Sequence, residues 1–367
     1  MTRLREALKG MADEMPAPAS TVDLAELALA NHQRNRRRIT VATTFFATVA
    51  IVGVMTAGVT LTGARQVAQE PATKTVPDLP AGSVGALSLA YPTDCKQVRE
   101  PKPGIDCSEA EWQVVTRVGK TYRVPQALTH TVKDRRVPVA LSRDGRMFAY
   151  YSRQAQTYVV RDMEAGTEVT SPVKVGEERI DIGSMLVVSD DGRYLAFDPR
   201  EGSKQPGLLI DVRTGKTVSL NGEYEAIGIK DGLVEMVRYR KTDLWLMPVK
   251  GGGKPVRFDG TYIMFSELAP DRRTVAAVEF DELRRNKLTL LDAKTGRMLR
   301  KVPVRGVPAK AGLVGVRIWS SASEVVLDYQ VGVRLRSYGL NVGTGRLRHL
   351  ADYPDVGFKQ AALPGSW

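Results

Sequence analysis

Three histidines and two cysteines are all that this 367-residue chain offers of the side chains that most often carry nucleophilic, redox or metal chemistry. Two thiols alone cannot build a zinc site. No Gly-x-Ser-x-Gly elbow, phosphate-cradling glycine loop or paired-carboxylate signature occurs either. His130 and His349 stand at opposite ends of the C-terminal bulk, in no recognisable nucleophile context. A closed fold could bring them near each other, but two ordinary histidines explain them as well. The expectation is a chain with no catalytic set, no cofactor and no metal, which makes an enzyme the disfavoured class.

Charge is missing in one place. Ile39 to Ala64 contains no charged side chain over 26 residues. Within it, Ile39–Leu61 as a helix would cover roughly 35 Å, enough to cross a bilayer. Six threonines dilute its apolar character, but their hydroxyls can bond back to carbonyls of the same helix. Arg34, Arg36, Arg37 and Arg38 precede the run and only Arg65 follows closely. That asymmetry predicts a cytoplasmic N-terminus and an extracytoplasmic remainder. The competing reading is a signal peptide cut near Ala64, for which the run is too long and too far from the N-terminus.

The predicted organisation is therefore a cytoplasmic segment 1–38, a transmembrane helix 39–61, a proline-bearing linker 62–82 and an extracytoplasmic domain 83–367. Leu4, Leu8 and Met11 fall on one helical face of the cytoplasmic stub, and Leu24, Leu27 and Ala28 on another. Helices this short do not form a core by themselves. They await a cytoplasmic protein partner or stay unstructured. A sigma factor is one partner to consider, although the zinc-type anti-sigma motif is absent.

Beyond residue 64 the chain carries 46 Lys/Arg against 36 Asp/Glu. Outside a membrane, nucleic acid is not the expected partner of such an excess. A protein or an anionic envelope polymer is. Cys95 and Cys107 both lie on that side, and in an oxidising compartment they should pair. A bridge closing so short a loop stabilises by about 3 kcal/mol in the chain-entropy model.

The extracytoplasmic part repeats a grammar of apolar stretch, Asp-Gly-type turn, strand, variable loop, strand, second Gly turn and strand. The first turns fall at Asp144-Gly145, Asp191-Gly192, Asp231-Gly232, Asp271-Arg272 and Ser321-Ala322. The second fall at Gly166, Gly215, Gly251-Gly252, Gly296 and Gly345. A period of about 45 residues with four strands is that of a β-propeller blade. A ragged further copy at Val84–Tyr122 would hold the disulfide loop. The predicted fold is all-β, a six-bladed β-propeller with seven blades also compatible, preceded by one transmembrane helix and a short helical stub.

The segments Ser142-Arg-Asp-Gly-Arg-Met-Phe-Ala-Tyr and Ser189-Asp-Asp-Gly-Arg-Tyr-Leu-Ala-Phe resemble the turn-and-strand of bacterial WD-repeat-like propellers related to the Tol-associated periplasmic protein. The resemblance spans roughly residues 84–350 and departs at Asp271-Arg272 and Ser321-Ala322. The layout of stub, span and propeller also looks like actinobacterial single-pass membrane proteins. What the resemblance implies is binding and scaffolding, and it implies fold more firmly than function. A propeller gating a serine peptidase would need a further hydrolase domain, for which this sequence has no room.

In such a blade both regular turns lie on one face, and the variable loops and blade-to-blade connectors on the other. The variable segments hold 16 basic and 9 acidic residues. Arg135, Arg136, Arg240, Lys241, Arg284 and Arg285 are the strongest contributors and form the candidate anion-binding face. A plain solvated face is the alternative.

Overall fold

A computed structural model describes residues 76–98, 104–199, 205–239, 241–353 and 361–366, with the Arg284 side chain also outside the description. The expected span at 39–61 and the stub at 1–38 lie outside the described residues. Among the described residues no helix is long and apolar enough to cross a membrane.

Five four-stranded antiparallel sheets follow one another, each in simple sequence order. Their strands, lettered A to D, are Ala140–Leu141, Met147–Ser152, Thr157–Asp162 and Glu168–Thr170 in blade 2. In blade 3 they are Met185–Val188, Tyr194–Asp198, Gly207–Asp211 and Thr217–Leu220. Blade 4 has Glu225–Lys230, Leu233–Arg238, Asp243–Pro248 and Val256–Arg257. Blade 5 has Tyr262–Phe265, Thr274–Glu279, Lys287–Asp292 and Met298–Pro303, and blade 6 has Gly312–Ser321, Glu324–Val331, Arg334–Asn341 and Arg346–Tyr353. The A strands of neighbouring blades contact one another, so they line the axis.

Blade 1 is built differently. Leu87–Pro92, Trp112–Thr116 and Thr121–Val124 form a three-stranded sheet, and Ala362 pairs with the free edge of the first strand through both backbone bonds, 2.9 and 2.8 Å. The tail near Ala362 thus takes the place of strand A, and Leu87–Pro92 becomes strand B. On the outer edge, Asp78 pairs with Arg123 and Leu79 is buried, so the ring begins inside the stretch read as linker.

The apolar residues resolve into six clusters, and each straddles a seam between two successive blades. Phe148, Tyr150 and Trp112 join blades 1 and 2. Tyr158, Phe197 and Leu186 join blades 2 and 3. Leu89, Leu335 and Leu363 join blades 6 and 1. The other three seams are filled in the same way. Six seams for six blades close the ring without a seventh.

The repeated turn explains itself chemically. Ser142 Oγ donates to Asp144 Oδ1 at 2.5 Å and accepts the Met147 N–H at 2.8 Å, while Asp144 Oδ1 accepts the Arg146 N–H at 3.0 Å. Ser189 and Asp191 repeat the set. The arginine after the turn then clamps the carboxylate ending strand C, as in Arg146–Asp162, Arg193–Asp211 and Arg273–Asp292. Gly145 has φ +71°, and a Cβ there would collide with the Leu87 carbonyl oxygen.

Blade 5 lacks that glycine, and Arg272 adopts φ +57° in its stead. A left-handed conformation costs a non-glycine residue roughly 1–2 kcal/mol, part of which glycine returns as unfolded-chain entropy. Arg272→Gly should therefore raise the stability of the ring by about 0.5–1 kcal/mol, read as a higher denaturant midpoint at unchanged slope. A lower midpoint would show that the exposed contact of Arg272 with Asp231 at 3.9 Å matters more than the backbone.

Candidate functional site

Antiparallel strands put the A–B and C–D turns on one end of the ring and the B–C loops and connectors on the other, here called the turn face and the loop face. Arg135 and Arg136 lie in the connector between blades 1 and 2. Lys241 lies in the B–C loop of blade 4, and Arg285 ends the short 3-10 helix Phe280–Arg285 in the B–C loop of blade 5. Topology thus places them on the loop face together. Arg240 falls outside the described residues.

The four described side chains are not equivalent. Arg135 is half-buried and pairs with Asp181 at 3.3 Å. Arg136 lies over the Trp112 ring, 5.4 Å from its centroid, and burial pushes its guanidinium down to about 10. Its stacking on Trp112 ties the connector to blade 1. Arg285 is exposed, with Glu282 at 3.6 Å. Lys241 is exposed at φ +51°. Of the described candidates, the exposed ones therefore sit on blades 4 and 5, while Lys133, Arg153, Lys174 and Arg334 are exposed on the loop face of the other blades.

The loop face also exposes aliphatic side chains that sequence reasoning passed over. Val132 in the first connector is 92% exposed, Ile182 in the second 58%, Ile105 in the blade 1 insertion 65% and Val333 at the B–C turn of blade 6 73%. These positions belong to blades 6, 1, 2 and 3, one continuous arc. The exposed aliphatics thus share one arc of the loop face with exposed cations, which continue onto blades 4 and 5. The signal was present in the sequence, as an aliphatic residue next to Gly or charged neighbours in a loop, but single exposed aliphatics are ordinary. Only their placement on one arc makes them notable.

Cys95 and Cys107 are bonded, as the sequence predicts. They pin the base of a two-stranded hairpin, Lys96–Val98 with Gly104–Asp106, that fills the B–C position of blade 1. His349 lies in strand D of blade 6, edge-on to Tyr338 and 3.3 Å from Asp352. His130 lies instead beside the disulfide.

Near the turn face an ion pair spans the axis. Arg143, just past strand A of blade 2, reaches Glu267, just past strand A of blade 5, at 3.3 Å. Blades 2 and 5 are opposite members of a six-membered ring, so this ion pair crosses the axis. Lys230 of blade 4 joins at 3.4 Å, and Asp190 of blade 3 accepts the Arg143 N–H at 3.1 Å. Arg143, Asp190 and Lys230 each immediately precede the first-turn aspartate of their blade, in blades 2 and 3 as the variable residue of Ser-x-Asp-Gly, whereas Glu267 stands four residues before Asp271.

Burial raises the carboxyls of Asp190 and Glu267, and Glu235 behind them is pushed up to about 8 by burial. Their oxygens are committed within the protein. Glu235 accepts the Leu268 N–H at 2.9 and 3.0 Å, and Glu267 accepts the Trp319 N–H at 2.9 Å. Three convergent carboxylates are what a channel enzyme would require. Here backbone donors and the cations Arg143 and Lys230 engage them.

No family model matches the chain, and no curated protein matches it. Solved structures similar to it include TolB from Acinetobacter baumannii, at 15% identity and TM-score 0.45 over 75% of this chain and 65% of that one. The chain thus covers less than two thirds of that TolB structure. A nidogen/laminin complex is similar at 8% identity and TM-score 0.44, over 76% of this chain and 97% of that one. The dihydro-heme d1 dehydrogenase NirN in complex with DHE is similar at 14% identity and TM-score 0.39, over 75% and 56%.

Proposed function

We propose that this protein is a membrane-anchored, non-catalytic binding module whose ring stands outside the cytoplasmic membrane and docks a protein partner on its loop face. The observation that carries the reading is the run of exposed aliphatic side chains along the loop face of blades 6 to 3, set among exposed cations that continue onto blades 4 and 5. At the opposite end an ion pair of Arg143 with Glu267 crosses the axis. A rigid closed ring with variable loops on one side supports recognition through those loops. The uncharged run behind four arginines supports the anchoring. The partner that fits carries an apolar patch beside an acidic one, since aliphatic burial supplies affinity and complementary charge supplies orientation and on-rate.

Photo-crosslinking residues placed at Val132, Ile182 and Val118 of the full chain in intact cells test this. Val118 is as exposed as the others but lies in the C–D turn of blade 1. One discrete adduct should form from positions 132 and 182 and none from 118. Val132→Asp with Ile182→Asp should lower recovery of that partner by ~10-fold or more, the effect of losing about 1.4 kcal/mol. Adducts formed equally from all three positions would overturn the assignment of the face.

A further inference from the structure

Three donor groups converge where the blade 1 insertion meets the first connector. The sulfurs of Cys95 and Cys107 and a ring nitrogen of His130 all lie within 4.8 Å of one another. Nδ1 of His130 is enclosed and has no hydrogen-bond partner among the described residues. Buried polar atoms nearly always find a partner, and those that do not call for an explanation.

The backbone around these donors is held by bonds that do not involve the sulfurs. Thr93 N–H donates to the Glu111 carbonyl at 2.8 Å, and Glu111 N–H donates to Thr93 Oγ1 at 3.0 Å. Ala110 N–H donates to the Cys107 carbonyl at 3.1 Å, and Thr129 Oγ1 donates to the Ala110 carbonyl at 2.8 Å. His130 itself pairs with Arg136 through the backbone. Opening the bridge therefore leaves the two thiols facing the imidazole.

We propose that reduction of the Cys95–Cys107 bridge turns this corner of the loop face into a Cys2His site for Zn2+, with the fourth position open to water. Zinc–sulfur bonds of about 2.3 Å and zinc–nitrogen bonds of about 2.0–2.1 Å place tetrahedral donors roughly 3.5–3.8 Å apart. Once the bond is broken the two sulfurs must move apart to meet that spacing, while His130 already lies within reach of both. In the chemical step a dithiol reductant gives up two electrons and two protons. The Cys95–Cys107 bond breaks, two thiols form, and the reductant becomes a disulfide. Zinc then displaces both thiol protons to solvent and takes the lone pair of His130. The same sulfurs serve the bridge and the metal, so each state excludes the other. The thiol redox poise would decide which one this face carries.

Cobalt tests the proposal, because Co2+ reports thiolate ligation by charge-transfer and d–d absorption. The full chain in detergent is reduced anaerobically with a phosphine, freed of it, and titrated with Co2+. One equivalent should bind with thiolate bands that Zn2+ abolishes, while the oxidised chain shows none. His130→Ala should weaken Co2+ binding by more than the ~10–100-fold that loss of an outer partner costs. A Cys95→Ala/Cys107→Ala variant should keep its β-sheet circular dichroism and bind no cobalt, showing that the ring persists without the bridge. The proposal is overturned if the reduced chain gives no thiolate bands, if His130→Ala binds as tightly as the parent, or if the ring unfolds once the bridge is opened.

Discussion

Arg317→Met should lower the stability of the ring by roughly 3–5 kcal/mol, the range for stranding one partner of a buried ion pair. Arg317 lies in strand A of blade 6 and is buried. Its guanidinium engages Asp328 of strand B through Nε and Nη2 and donates to Ser337 Oγ of strand C at 3.1 Å. Nη1 donates to the Pro364 carbonyl at 2.5 Å. One side chain therefore ties three strands of the last blade to the tail that completes the first. Methionine fills much of the volume but leaves the Asp328 carboxylate in the interior without its cation. Denaturant unfolding should show the full loss, and protease should cut the tail sooner in the folded variant. Replacing both partners, Arg317→Met with Asp328→Leu, should recover most of the stability. A double variant as unstable as the single one would mean that the tail contact dominates.

Glu235→Gln should make the ring more stable than the parent in alkaline solution and leave it unchanged in acid. The Glu235 carboxyl is pushed up to about 8 by burial, with the charge of Glu267 adding to this and Lys230, Arg143 and the Leu268 N–H opposing it. A raised carboxyl means that the folded ring holds a proton the unfolded chain releases. Its contribution is complete below about pH 4.5, falls as the pH rises and is gone above about pH 8. The gap corresponds to at most about 5 kcal/mol. Glutamine keeps an oxygen for the Leu268 N–H and carries no charge at any pH. Melting temperatures of parent and variant should coincide near pH 4.5 and diverge in the variant's favour up to about pH 8. Parallel curves across that range would show that Glu235 is already ionised in the folded ring.

The blades were legible because their turns are written in residue types with strong local preferences. Serine and aspartate bonded to the backbone and glycine at positive φ recur where the chain must reverse. The tightest of these turns leave little room for alternatives. Blade 1 was less legible. Its innermost strand comes from the tail near Ala362, which has no turn signature and declares its place only through pairing with Ala90. The ion pair across the axis was hidden for another reason. Arg143, Asp190, Lys230 and Glu267 sit beside turn residues and read as surface charge until the ring points them at one another. Arg136 misled in the opposite sense, since a basic residue in a loop reads as exposed and nothing local announces Trp112 beneath it. The cysteines pair as the sequence reading expected, but the histidine beside them is a tertiary fact.

The pairing of Ala362 with Ala90 carries a consequence for how the protein is made. A ribosome releases blade 1 before the others, with the inner edge of Leu87–Pro92 unpaired, and the segment that covers this edge follows blade 6. Until then the nascent chain therefore displays an open β-edge, the kind of surface that recruits other strands. Blades 2 to 5 can form in turn as they appear, each against its predecessor, but the cylinder stays split along one seam until the tail arrives. Closure is a single long-range event that waits for the segment after blade 6. A chain halted shortly before Ala362 would hold nearly all of its blades and still lack a ring.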